Sequence, residues 1–183
     1  MKVEIRKEDI PKYIKKFWDF IWHGKSIWSY IAFFIFAYIV YHFAFMPILY
    51  HAFGITEIAA VVSDSMQHEN PYTYERWLKF RNISNEGWPF PEGINMGDVI
   101  IVKKVDPKEL KVGDVVLYYV DHKQIVHRIV YLSNDSFTTK GDNNPFIMDF
   151  EKNVSFDKLK GKVILRIPYL GIPRVAVMYV IGI

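Results

Sequence analysis

The sequence predicts a mainly β domain anchored by an N-terminal transmembrane helix. Three observations predict this: an uncharged apolar run near the N-terminus, short Val-, Ile- and Tyr-rich segments beyond residue 96, and no long amphipathic helical run between those segments. Hydrophobic residues make up 51% of the 183-residue chain, and aromatic residues make up 17%. This composition indicates that some apolar surface faces something other than water, while the length allows one domain with a real core.

The apolar run lies between Lys25 and Glu57, a stretch without Asp, Glu, Lys or Arg, and is strongest over residues 27–49. It exceeds the ~20 residues that a helix needs to cross the hydrocarbon of a bilayer. It is also longer than the ~7–15 apolar residues of a cleaved signal peptide, and no Ala-x-Ala site follows it, so we expect it to remain as an anchor. The positive-inside rule places the N-terminus in the cytoplasm and the rest outside, because seven basic residues precede the run: Lys2, Arg6, Lys7, Lys12, Lys15, Lys16 and Lys25.

The chain is therefore predicted to have four parts: a cytoplasmic segment (1–26), a transmembrane helix (27–49), an extracytoplasmic β domain (50–171) and an apolar tail (172–183). In the first part, apolar residues at helical spacing favour either an amphipathic helix over residues 8–22 on the inner leaflet or a solvated tail. The C-terminal tail is too short to span a bilayer alone. It either lies on the membrane, packs on the domain or represents a truncated second anchor.

The β domain is predicted to contain five strands, bounded by Gly, Asp, Pro and Asn, at residues 99–105, 115–120, 125–132, 137–140 and 162–167. We expect a barrel or a pair of packed sheets. The segment 67–95 has no clear period and is rich in aromatic side chains. It is interpreted as a long functional loop that leaves the β domain and contains a short helix near residues 74–80, with a disordered insertion as the alternative.

Three short stretches carry side chains that suit catalysis. The first contains Ser63 and Ser65, the second contains His127, and the third contains Asp142, with Asp149 shortly after it. Taken singly, they are typical of a strand-end hydroxyl, a core histidine and a turn. Together they supply a serine nucleophile, a base that titrates near neutral pH and a carboxylate that can fix the imidazole tautomer.

The order of these motifs is specific. Ser-Met is followed by a Gly-Asp-Val turn into a strand, then by His-Arg, then by Lys-Gly-Asp-Asn-Asn. Over roughly residues 27–171 this order resembles type I signal peptidases, and in particular the archaeal and endoplasmic-reticulum branch, where histidine replaces the lysine base of the bacterial branch. The chain departs from the usual family pattern at Asp64, where glycine is common, and it lacks a proline two residues after Met66. The resemblance implies a signal-peptidase-like β catalytic domain.

The resemblance also implies roles for individual residues. Ser65 matches the nucleophile and His127 matches the base. Asp149 matches the usual third member of the triad, with Asp142 as the alternative, and the spacing of seven between them is one longer than is common in this branch. The hydroxyl of Ser63 and the backbone N–H of Ser65 are the expected oxyanion donors. Replacing Asp149 is accordingly expected to cost more activity than replacing Asp142.

The predicted activity is removal of N-terminal signal peptides from secreted pre-proteins after small residues, at the outer face of the cell membrane. The expected partners are the pre-proteins, the lipid bilayer and the secretion translocon. A net charge of +3 gives no indication of nucleic-acid binding, and the absence of cysteine excludes a thiol nucleophile. No cofactor is expected, and no metal is expected because no His-Glu-x-x-His or similar spacing occurs.

Two other functions fit parts of the sequence. A non-catalytic membrane-anchored β module that only binds partners would use the same anchor and strands. A self-cleaving repressor-type peptidase would share the β core, but it would require a DNA-binding domain and a catalytic lysine. Four lysines could be expected to fill that role, but their positions in the sequence do not favour the lowered pKa that a lysine base needs. They are Lys103, Lys104, Lys123 and Lys140.

Overall fold

The computed structural model describes residues 10–68 and 71–182. The chain divides into two compact units that meet between Ala52 and Phe53. Several predictions concern residues outside the described ranges: the basic residues Lys2, Arg6 and Lys7, the beginning of the amphipathic helix at residue 8, and the last residue of the tail. The first unit is helical, and the second contains the sheet.

The first unit contains α1 (Ile10–His23), α2 (Ile27–Val40), a π-helical segment (Tyr41–Phe45) and most of α3 (Met46–Phe53). The last three form one continuous helix of 27 residues, which contains an 18-residue stretch with a mean hydropathy of 2.0. At ~1.5 Å per residue such a helix is ~40 Å long, which exceeds the ~30 Å hydrocarbon thickness. It is therefore long and apolar enough to cross a membrane, and it ends at Phe53 rather than at residue 49.

Local chemistry explains where the long helix begins and why its geometry changes in the middle. Ser26 caps its N-terminus, because the Oγ atom accepts a hydrogen bond from the backbone N–H of Ser29 at 3.2 Å. Pro47 has no N–H to donate to the preceding turn, and the π-helical segment lies directly before it. The helix predicted over residues 8–22 is also confirmed over the described residues, since α1 covers residues 10–23.

The second unit is built on a seven-stranded sheet with strand order β1-β2-β7-β3-β4-β5-β6, and every neighbouring pair is antiparallel. Two helices, α4 (Pro71–Arg81) and α5 (Ile172–Ile181), belong to this unit. The strands are β1 (Ile55–Ala60), β2 (Val99–Lys103), β3 (Val115–Val120), β4 (Lys123–Leu132), β5 (Ser136–Lys140), β6 (Val154–Ser155) and β7 (Leu159–Ile167).

All five predicted strands are present, together with two strands that the sequence did not predict. β1 was missed because Thr56 and Glu57 interrupt its apolar pattern next to the long helix, and β6 was missed because it has two residues. The description of the chain as mainly β is only partly right, because the structure has about 27% strand and 40% helix. The excess of helix comes from the N-terminal unit, α4 and α5. The predicted short helix of the long functional loop is α4, which is longer than expected.

The core lies on both faces of β3. Val115 and Leu117 belong to one buried apolar cluster, while Val116 and Tyr118 belong to the other. Alternate residues of a strand point to opposite faces, so β3 reads as a continuous apolar run instead of an alternating one. The first cluster also contains Met66, so the residue next to Ser65 is anchored in the core.

Candidate active site

Ser65 lies in the loop that follows β1. The beginning of the loop is fixed by the N–H of Val61, which donates to the carbonyl of Asp98 at 2.8 Å. Its far end is fixed by Met66, which is 1% exposed. The carbonyl of Ser65 itself accepts a hydrogen bond from the N–H of Asn143 at 2.8 Å. A loop held in this way can present one side chain in a defined position, as a nucleophile requires.

His127 lies on β4, opposite Val116 of β3, and is 5% exposed. Its Nε2 atom is 3.0 Å from the Oγ atom of Ser65. This distance is within the range in which a base takes a proton from a hydroxyl. The structure therefore brings together the two residues that the sequence paired across 62 positions.

The carboxylate beside His127 belongs to Glu151, which is fully buried. Its Oε1 atom lies 2.5 Å from His127 Nδ1. The two groups form an ion pair when the imidazole is protonated. Among the described residues, Nδ1 has no hydrogen-bond partner. The backbone N–H of Gly141 donates to Oε1 at 3.1 Å, and that of Met148 donates to Oε2 at 2.6 Å. Two backbone donors thus hold the carboxylate against the imidazole.

Neither predicted aspartate occupies this position. The side chain of Asp149 is 99% exposed and pairs with Lys152 at 2.7 Å, and this hydrogen bond and charge hold the pKa of Asp149 below its usual range. Asp142 is buried and is bound by Arg128 at 2.7 Å and by His68 at 2.8 Å. The geometry therefore gives the place beside His127 to Glu151, and this corrects the expectation that Asp149 or Asp142 orients the histidine.

The short 3₁₀ turn Asp149–Glu151 explains why Glu151, and not Asp149, contacts His127. With ~3 residues per turn, side chains two positions apart point in directions ~120° from one another, so they cannot both face inward. Glu151 faces the core and Asp149 faces solvent. The only sequence signal for Glu151 was a second carboxylate two residues after the aspartate that matched the family pattern.

Ser63 lies beside the nucleophile. Its Oγ atom is 3.2 Å from the Oγ atom of Ser65, and its side chain is exposed. A hydroxyl at this place can donate to an oxygen that develops negative charge next to Ser65.

Among the described lysines, Lys140 is the buried one that could compete for the role of base. Burial lowers the pKa of Lys140, while the charges of Asp142 and Glu151 act in the opposite direction. The expectation that Lys140 is poorly placed for a lowered pKa was therefore wrong. Its Nζ atom donates to the carbonyls of Gly141 at 3.0 Å and Asp142 at 3.4 Å, and it lies 5.2 Å from the ring centroid of Trp77. These contacts direct the amine toward main-chain oxygens. The other lysines that were considered, Lys103, Lys104 and Lys123, are exposed.

A cleft of about 280 Å³ opens next to Ser65 along β1. Its lining includes Ala59, Ser63, Leu117 and Val126. β1 is the first strand of the sheet and pairs with β2 on one side. The lining also includes Glu57, Gln124 and Arg174, so the cleft is mixed in polarity; it lies close to the serine and borders β1, the first strand of the sheet.

No family model and no curated protein matches this chain. Within residues 10–68 and 71–182, no group of three or more His, Cys, Asp or Glu side chains could hold a metal ion. The described groups offer a hydroxyl, an imidazole and a carboxylate in series, an arrangement in which the imidazole can take a proton from the hydroxyl.

The buried carboxylate of Asp142 is expected to stabilise the fold through its contacts with Arg128 and His68. Burial alone would raise its pKa, but hydrogen bonds from His68 and Arg128 and the charge of Arg128 outweigh burial and hold the pKa below its usual range. Asp142→Asn is expected to lower the free energy of unfolding by about 3–5 kcal/mol at neutral pH, because Arg128 is left buried without its counterion.

The sign of the pH dependence follows from the lowered pKa. The stabilisation by Asp142 is complete above its unfolded-state pKa of about 3.9 and is lost as the pH falls through the lower folded-state value. The difference in Tm between the wild type and Asp142→Asn should therefore be large near neutral pH and shrink below about pH 4. Thermal unfolding in detergent at several pH values would measure it, and a constant difference would contradict this role.

Proposed function

We propose that this protein is a membrane-anchored serine endopeptidase that removes N-terminal signal peptides from secreted pre-proteins. The observation that carries the proposal is the 3.0 Å contact between Ser65 Oγ and His127 Nε2, with Glu151 behind the imidazole. This geometry combines with the resemblance of the sequence motifs to the histidine branch of type I signal peptidases.

In the proposed reaction, His127 takes the proton of Ser65 as the hydroxyl attacks the carbonyl of the scissile bond. The imidazolium that forms is stabilised by Glu151, and it then gives its proton to the leaving amine. The Ser63 hydroxyl and the backbone N–H of Ser65 donate to the oxyanion. Water then hydrolyses the acyl-enzyme by the same proton path.

The cleft supports an extended peptide as the substrate. β1 is the first strand of the sheet, so a peptide would bind by adding a strand at its outer edge beside Ser65. The cleft has a volume of about 280 Å³, and in the proposed complex several substrate side chains would share it. Ala59, Leu117 and Val126 give part of the cleft apolar walls, and the preference for small residues before the cut is proposed from the resemblance to signal peptidases.

The proposal is tested with the purified full chain in detergent and a pre-protein that carries Ala at the first and third positions before the cut. We expect one cleavage, located by sequencing the N-terminus of the product. The matched substrate has Trp in place of the Ala directly before the cut and should be processed poorly, because the resemblance to signal peptidases implies a small residue at this position. A folded wild-type chain that binds the pre-protein without cutting it would instead indicate the non-catalytic binding module.

The proposed topology places the N-terminus in the cytoplasm and the sheet domain outside. Basic residues before the long helix support this orientation. Protease added outside spheroplasts is expected to digest the chain beyond about residue 57 and to spare an N-terminal tag. Digestion of the tag with protection of the Ser65 domain would show the inverse topology.

A further inference from the structure

His68 follows Ser65 by three residues, and both of its ring nitrogens have partners. Nε2 lies 2.8 Å from Asp142 Oδ2, and Nδ1 lies 3.0 Å from the carbonyl oxygen of Pro91. The ring also stacks on Tyr74, with centroids 3.9 Å apart and an interplanar angle of 21°. Contacts on two edges and one face fix the orientation of the imidazole.

The partner of His68 belongs to the segment 141–143, which contacts the proposed catalytic groups on either side of Asp142. The N–H of Gly141 donates to the Glu151 carboxylate at 3.1 Å. The N–H of Asn143 donates to the carbonyl of Ser65 at 2.8 Å. A displacement of this segment would therefore move the nucleophile and the carboxylate together.

Arg128 holds Asp142 from the other direction. Its Nε atom donates to Oδ1 at 3.0 Å, and its Nη2 atom donates to Oδ2 at 2.7 Å. Its Nη1 atom donates to the carbonyl of Pro89 at 2.8 Å. Arg128 is the chain neighbour of His127. The carboxylate of Asp142 thus lies between the strand that carries the base and the loop that carries the nucleophile.

We propose that His68 is a positioning residue: it ties the nucleophile loop to the segment 141–143 and thereby sets the distance between Ser65 Oγ and His127 Nε2. His68 is not expected to act on a substrate, because its two ring nitrogens already contact Asp142 and Pro91. Its effect on catalysis rests on the proposed function, whereas its effect on the geometry of the site does not.

Three variants separate the contacts of His68. His68→Gln can place an amide N–H near the position of Nε2 and so retain the bond to Asp142. His68→Asn can retain the bond to Pro91 but not the one to Asp142, and His68→Phe retains only the stacking on Tyr74. A stability control is Val154→Ala, which removes buried methyl groups from the second core cluster, outside the site.

The kinetic measurement uses the full chain in detergent with the cleavable pre-protein. His68→Phe and His68→Asn are expected to lower kcat by about 10²-fold with little change in KM, because small misplacements of reacting groups cost that much. His68→Gln is expected to recover most of the lost kcat. Val154→Ala, compared at equal Tm, should keep a near-normal kcat. Normal kcat in His68→Phe, or an equal loss in Val154→Ala, would overturn the proposal.

A second measurement does not depend on activity. The ¹⁵N signals of His127 in histidine-labelled protein, identified by their loss in His127→Ala, report the hydrogen bonding of its ring nitrogens. They should shift in His68→Phe and His68→Asn and stay near the wild-type positions in His68→Gln. If the wild type does not cut the pre-protein, the proposed function fails, and these signals alone decide the positioning role. Unchanged His127 signals in all three variants would overturn it.

Discussion

Ser65→Ala, His127→Ala and the double variant are each expected to lose pre-protein cleavage by about 10⁴-fold or more, and by similar amounts. The hydroxyl of Ser65 is a poor nucleophile until the imidazole 3.0 Å away takes its proton. The two groups act as a unit, so removal of the second adds little once the first is gone. Single-turnover cleavage at high enzyme concentration would measure losses of this size.

Matched controls distinguish this unit from a lysine-based site. Lys103→Ala and Lys123→Ala remove exposed ammonium groups and should retain substantial activity. Lys140→Ala removes a buried cation that binds main-chain carbonyls, so its kcat should be compared after its Tm has been measured. Cleavage by His127→Ala together with an inactive, folded Lys140→Ala would show that the base has been assigned to the wrong residue.

Glu151→Gln is expected to lower kcat by about 10⁴-fold while the protein stays folded. The neutral amide removes the charge that stabilises the imidazolium. Both carboxylate oxygens accept backbone N–H groups, from Gly141 and Met148, so an amide nitrogen at either place would face a donor. The expected result is a His127 that is held in the wrong tautomer or displaced from Ser65.

Asp149→Asn is the control for Glu151→Gln, because it changes a carboxylate to an amide in the same turn. Its side chain is 99% exposed and contacts Lys152, so we expect nearly normal kcat and Tm. This reverses the order of importance that the family pattern predicted. A larger loss of kcat in Asp149→Asn than in Glu151→Gln would contradict the geometry and restore the aspartate.

The sequence by itself determined the features that depend on neighbouring residues. An uncharged run between Lys25 and Glu57 is sufficient to predict the long apolar helix, because backbone and side chains must both suit a nonpolar environment. The buried strands at 115–120 and 125–132 were predicted by continuous Val, Ile and Tyr. The order of motifs also paired Ser65 with His127, through resemblance to a known family.

Only the tertiary structure decided which carboxylate faces the histidine. The carboxylates of Asp142, Asp149 and Glu151 lie within ten residues, and the sequence analysis weighed only the two aspartates. The choice depends on which side chain of a 3₁₀ turn faces His127. The role of His68 was hidden for the same reason, since its partners Asp142 and Pro91 are distant in the chain. Local sequence predicts elements, while the contacts between distant residues assign each polar side chain its partner.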